Sequence, residues 1–383
     1  MSALDPEIVA LVAALDEESP QARDVAAARL VALGWPAAPV LLGLPSATAS
    51  GRARCSFTLV GVVYSAQSRW VRGEAPLHDL RLAGRLGDLG PELALWLRRA
   101  VTIDPALVDT EVDVDVVRAT TLEVLDRLAA AAGASWEQDV FGGLRLSSPL
   151  DPPAPTAYAG PLRVRATRLA CTRTTDFSRV ECEACLTLAV RLERPLAPIL
   201  PLNLSVLRAH DDLDTELNAT VSTLEADEHD ASFAVRLTGL HPEARTLKAL
   251  DLRITGVFPE DVEVLTWTRP EPGARLQSAL CELEVTHVEG DGLGLVARPT
   301  AEAATIPPET FGRLVDAALL GAAGSDEELA AVECWRAAGS DAVHWRARWS
   351  RLDPRRLDRL QLYVARALFV SPTALSLRGL ALP

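Results

Sequence analysis

The stretch "SPQARDVAAARLVALGWPAAPVLLGL", residues 19–44, sets the reading of the N-terminal part of this chain. Ser19 followed by Pro20 places a capping side chain before a proline suited to the first helical turn. Ala22, Ala26, Leu30 and Leu33 then recur at helical spacing, and Gly34 stands where a helix stops. An apolar piece resumes at Pro39–Leu42. Upstream, Asp5-Pro6 repeats the start signal, and Ile8, Leu11, Val12 and Leu15 form one apolar stripe. Two short antiparallel helices cannot bury both stripes by themselves, so the pattern predicts stacked neighbours.

A related pattern returns 56 residues later in "LRLAGRLGDLGPELALWLRRA", where Ala83, Leu86, Leu89 and Gly90 occupy the places of Ala27, Leu30, Leu33 and Gly34. Residues 105–132, closed by Gly133, read as a further long helix. The run "PEIVALVAALDEESPQARDVAAARLVALG" resembles a HEAT-type helical repeat: an apolar first helix, a Pro-x-x-Arg turn and an Ala-rich second helix ending Leu-x-x-Leu-Gly. The resemblance spans about the first hundred residues and implies a curved scaffold with a groove for partner proteins. Metal-dependent hydroxylases of that shape carry His-Glu pairs, and this sequence has none. Glycosylases of that shape need a basic cleft. The arginines of residues 51–99 are countered by the acidic run "DPALVDTEVDVD" at 104–115, and read as a solvated helical face.

The proline-dense "SSPLDPPAPTAYAGP", residues 147–161, marks a linker. Beyond it the hydrophobic period becomes two. Leu162, Val164 and Ala166 alternate with Arg163, Arg165 and Thr167; Phe233, Val235 and Leu237 behave alike, as do Leu250, Leu252 and Ile254, and Cys281, Leu283 and Val285. Further strands are expected at Val343–Trp349, Leu360–Val364 and Leu375–Leu382, with a helical insertion near 307–322. The expected fold is thus α+β and multidomain. A HEAT-like α-helical domain covers 1–146, and an antiparallel β-sandwich covers 162–383, divisible into 162–300 and 301–383.

The chain has 383 residues and a formal net charge of −14, which disfavours nucleic acid and anionic membranes as partners. Lys248 is its single lysine, preceded by Leu247, so a phosphate-binding Gly-Lys-Ser/Thr loop is excluded. The N-terminal residues lack the basic and apolar regions of a signal peptide, and prolines 36, 39 and 45 interrupt the longest apolar run. A cytoplasmic setting with reduced cysteines follows as the expectation.

Candidate chemistry is sparse. Cys182 and Cys185 form a Cys-x-x-Cys, but on a strand they face opposite ways and cannot share a metal. The acidic turn "AHDDLDTEL" offers Asp211, Asp212 and Asp214 as a possible calcium or magnesium set, against the ordinary use of aspartate in tight turns. Trp345 and Trp349 lie on one face of a strand, as a sugar platform or as core. "EGDGLGL" (289–295) reads as a hairpin turn. No Gly-x-Ser-x-Gly occurs, and the histidines are scattered. These features predict no cofactor and a non-enzymatic adaptor for protein partners, with a β-sandwich that binds carbohydrate or a divalent cation as the alternative.

Overall fold

The computed structural model describes residues 6–43, 49–70, 77–97, 100–138, 143–148, 154–176, 179–193, 198–226, 230–289, 292–304, 306, 311, 329–336, 342–349 and 359–383. They fall into two compact units: residues 1–68 with 257–370, and residues 69–256 with 371–383.

The first unit opens with helices α1 (Pro6–Ala14), α2 (Pro20–Leu33), α3 (Ala38–Gly43) and α4 (Ala49–Arg69, whose last residue is assigned to the second unit). The caps of α2 are those its sequence predicts. Ser19 Oγ accepts from the Ala22 N–H at 3.3 Å, and Gly34, at φ 71°, returns its own N–H to the Leu30 and Val31 carbonyls. Ile8, Val12, Leu15, Ala26 and Leu30 are buried together with Val40, Leu41 and Val62. Leu33, expected inward, is exposed.

No helical repeat follows. The supposed second copy begins as strand β1 (His78–Arg85), and only its latter half is helical, α5 (Leu86–Leu97). The supposed long helix over 105–132 is, after β2 (Val101–Ile103), a 3-10 turn, strand β3 (Glu111–Ala119) and helix α6 (Thr121–Ala131). The physical cause is visible in "EVDVDVVRA". Val112, Val114 and Val116 are buried while Glu111, Asp113 and Asp115 face outward, a period of two written in β-branched residues. β1 and β3 pair antiparallel, Leu82 opposite Val114, and Thr120 caps α6 through the Glu123 N–H. β5 (Leu144–Ser147) pairs with β2 and with β4 (Ser135–Gln138). Leu82, Leu86, Leu93, Leu125, Leu128 and Leu146 share the core of this region. The HEAT-like domain is therefore corrected to four N-terminal helices, α1 to α4, followed by mixed α and β structure, and the fold as a whole is mainly β.

The β-rich part beyond residue 155 agrees with its alternating pattern. β6 (Thr156–Ala159) arises within the proline-dense segment. With β7 (Leu162–Asp176), β8 (Arg179–Leu192), β10 (Asn218–Ala226) and β11 (Asp230–Thr238) it forms an antiparallel sheet of order β10-β11-β8-β7-β6. Val164, Ala184, Leu186, Leu188, Phe233, Val235 and Leu237 are its buried residues. β9 (Asn203–Asp211) joins β12 (Thr246–Thr268) and β18 (Arg359–Ala381) in order β18-β12-β9. Between those two long strands run β13 (Arg275–Gln277), β14 (Cys281–Glu289), β15 (Gly292–Pro299), β16 (Leu329–Arg336) and β17 (Val343–Trp349), in order β13-β14-β15-β17-β16. The β14–β15 hairpin is the turn read from "EGDGLGL". The proposed helical insertion at 307–322 lies outside the described residues apart from Phe311, which is buried.

Candidate functional site

The aspartates of the acidic turn are spent on the chain itself. Asp211, fully buried, accepts the N–H groups of Leu213 (3.0 Å) and Thr215 (2.8 Å) on one oxygen and of His241 (3.0 Å) on the other. Burial alone raises its carboxyl pKa, but these backbone donors outweigh it and hold the group below the ordinary aspartate range. Asp212 accepts the Arg245 N–H at 3.1 Å, and Asp214, at φ 61°, pairs with Lys248. Among the described residues no group of three or more His, Cys, Asp or Glu side chains is placed to hold a metal ion.

Trp345 has no exposed surface and packs with Trp267, Leu283 and Phe311, so it offers no face to a sugar ring. The side chain of Trp349 lies outside the described residues. On β8, Ala184, Leu186 and Leu188 are buried while Cys185 is exposed; Cys182 and Cys185 sit on opposite faces. His78 contacts the Thr121 hydroxyl (3.1 Å), His210 accepts from Arg208, His241 Nδ1 accepts the Glu243 N–H, and His287 meets the Thr286 hydroxyl. The arginines Arg81 and Arg85 lie on a strand, not a helix. They face Asp113 and Glu111 across β1–β3, with the guanidinium groups largely exposed.

A denser arrangement lies in the second unit, on residues the sequence offers only as the polar half of an alternating strand. Its hub is Asp126, on α6. Asp126 Oδ1 accepts from Trp136 Nε1 (2.6 Å, β4) and from an Arg163 terminal nitrogen (2.8 Å, β7); Oδ2 accepts from the Tyr158 hydroxyl (β6). The Arg163 guanidinium carbon stands 4.8 Å from the centre of the Trp136 ring, and that of Arg191 stands 5.2 Å from it. Arg191 is in turn held by both carboxylate oxygens of Asp230. Three strands, β4, β6 and β7, are thereby tied to one carboxylate on α6.

The electrostatics follow from burial. Arg163 is only 8 % exposed, and its Nε has no partner. Burial, together with the charges of Arg191 and Arg165, lowers its pKa, which Asp126 opposes. Burial first, then the hydrogen bond to Asp126 and its negative charge, drive the Tyr158 phenol upward, so it stays a neutral donor. Beside this network opens a cleft of about 550 Å³ lined by Asp126, Arg127, Ser135, Trp136, Thr156, Tyr158, Arg163 and Arg165, among others. Asp126 compensates Arg163, and Glu123 compensates Arg127. Arg165, part-buried on β7, has no carboxylate partner among the described residues. The cleft is left with uncompensated positive charge in a chain of net charge −14.

The signal that could have found it is the Arg163–Arg165 spacing, which sets two guanidinium groups on one strand face directly after a Tyr-bearing strand. The Asp126 hub, 37 residues from Arg163, leaves no local mark. No family model, curated protein or solved structure matches this chain. Among the described residues, no helix is long and apolar enough to cross a membrane.

Proposed function

We propose that this protein acts by binding, without a reaction of its own, and that the cleft beside Asp126 receives the carboxylate or phosphate group of a small anionic molecule. The observation that carries the reading is Arg165: a guanidinium group with no protein counter-charge, next to a second one that Asp126 and Trp136 hold rigid. A guanidinium fork suits both anions in planar, two-point fashion. Tyr158 and Trp136 spend their donors on Asp126, so they shape the wall and leave recognition to the arginines. An adaptor role for protein partners, the first expectation from the sequence, loses the stacked helices on which it rested. A cytoplasmic setting belongs to the same proposal, in keeping with the described cysteines being free thiols.

Titration calorimetry with phosphate and with citrate, at low ionic strength, tests it. Saturable binding of at least one anion is expected. Arg165→Gln should weaken it at least about tenfold, because a charge-assisted hydrogen bond is worth about 1.5–3 kcal/mol. The melting temperature of the unliganded variant should stay within about 2 °C of the parent, since the Arg165 side chain makes no hydrogen bond or ion pair among the described residues. Heats that never saturate with either anion, or an Arg165→Gln protein that binds like the parent, would defeat the reading.

A further inference from the structure

The first unit holds a cleft of a different character. It has a volume of about 460 Å³ and lies among α2, α4, β12 and β18. Its lining is mostly apolar in area, with Ala27 and Val31 from α2, Phe57 from α4 and Val264 from β12, and it carries Asp24, Thr266 and Gln361 as well. Val264 is 44 % exposed although it faces this space. Across it lies Tyr363, stacked on Phe57 with ring centres 4.3 Å apart. Gly61 completes the seat. A Cβ at that position would stand 2.6 Å from the Tyr363 ring, so only glycine lets α4 come this close, and the ring is pinned between Phe57 and the helix backbone.

Two hydroxyl-bearing residues line this cleft. Tyr363 is 3 % exposed and Thr58 is 1 % exposed; both line the cleft, and neither hydroxyl makes a hydrogen bond among the described residues. Burial also raises the Tyr363 phenol pKa, which keeps its proton available to donate. The nearby cations are already committed: Arg23 donates to the Glu17 and Glu18 carbonyls at 2.8 and 2.9 Å, and Arg54 donates to the Leu15 carbonyl at 2.9 Å. Carboxylates also stand beside these cations: Asp24 is in the same lining, and Asp16 lies 4.0 Å from Arg54, so the local charge is offset.

We infer that this cleft is a second binding site, for a neutral ring-bearing molecule whose single carbonyl-type oxygen accepts from Tyr363 and Thr58. The volume falls in the range of small-molecule pockets, and an apolar enclosure with a few converging hydroxyls is how such pockets orient an uncharged ligand. The site is independent of the arginine cleft in composition, location and ligand charge.

The experiment uses the full chain and two probes of equal shape, 1-acetonaphthone and 1-ethylnaphthalene, which differ by the carbonyl oxygen. Calorimetry should show saturable binding of the ketone, about tenfold tighter than the hydrocarbon. The double variant Tyr363→Phe/Thr58→Val should bind both probes alike. Ala27→Phe, which fills the cleft from α2 without removing a core contact, should bind neither while keeping its melting temperature. The inference is overturned if the parent protein prefers neither probe, if neither saturates, or if the double variant keeps the preference for the ketone.

Discussion

Asp211 converts three backbone N–H groups of its own turn and of the His241 segment into one buried anchor. Asp211→Asn keeps the size but sets an amide N–H against donors, so a loss of about 2 kcal/mol at neutral pH is expected in urea denaturation. The pH dependence has a definite sign. The folded-state pKa lies below the ordinary value of 3.8, so the unfolded chain takes up protons first as pH falls. The contribution of Asp211 is therefore complete above that ordinary value and is lost as pH drops through the lower, folded-state value. The stability gap between parent and Asp211→Asn should narrow between pH 7 and about pH 2.5, and an unchanged gap would contradict the account. At this scale the sequence was ambiguous. Closely spaced aspartates suit both a cation and a turn, and the bonds of Asp211 to Leu213, Thr215 and His241 are those of a turn. Trp345 was ambiguous in the same way until its burial was known, and Arg163 had no mark distinguishing it from a solvated strand residue.

Among elements, the two ends of α2 were legible because their signals are local. Ser19, Pro20 and Gly34 each act within one turn of their own position. Ser19→Ala should remove about 1 kcal/mol from α2, read as roughly fivefold faster hydrogen exchange of its first-turn amides, while Ser19→Asp restores the protection. Exchange unaltered by Ser19→Ala would mean that packing alone holds the helix start. β3 shows the opposite case. "EVDVDVVRA" alternates from Glu111 to Val116, but it runs into the helical "TLEVLDRLAAA" with no glycine or proline between them. The boundary is Thr120, whose side chain caps α6, and a lone threonine is easily passed over inside a longer apolar pattern. The same merging let β1 pass for the start of a second helix pair. Beyond residue 155 the strands were readable from their alternation, but Pro372 and Gly379 fall inside β18, which joins the strands expected at Leu360–Val364 and Leu375–Leu382, and the order β10-β11-β8-β7-β6 depends on non-local pairing that no short window contains.

At the scale of the molecule, both units are discontinuous in sequence. Residues 1–68 complete their unit with 257–370, as the Phe57–Tyr363 stack and the fit of Gly61 against the same ring make concrete. A fragment of residues 1–146, the helical domain that the sequence pattern suggests, should therefore lack the strand partners of its helices. Its thermal melt, followed by circular dichroism, should be broad and lack the cooperative transition of the full chain; a sharp transition in the fragment would show that the helices need no strands. The arginine cleft belongs to the other unit and draws on residues 126–165, all within its first segment.

That discontinuity also sets a clock on biosynthesis. Once the N-terminal helices have left the ribosome, roughly 190 residues must be translated before the first strand segment they pack against begins to emerge. At ordinary elongation rates of about 5–20 residues per second, this is a wait of roughly 10–40 s. Throughout it, the ring of Phe57 lacks its native cover, Tyr363, so the nascent chain is most prone to capture by chaperones, or to clumping, in its first half.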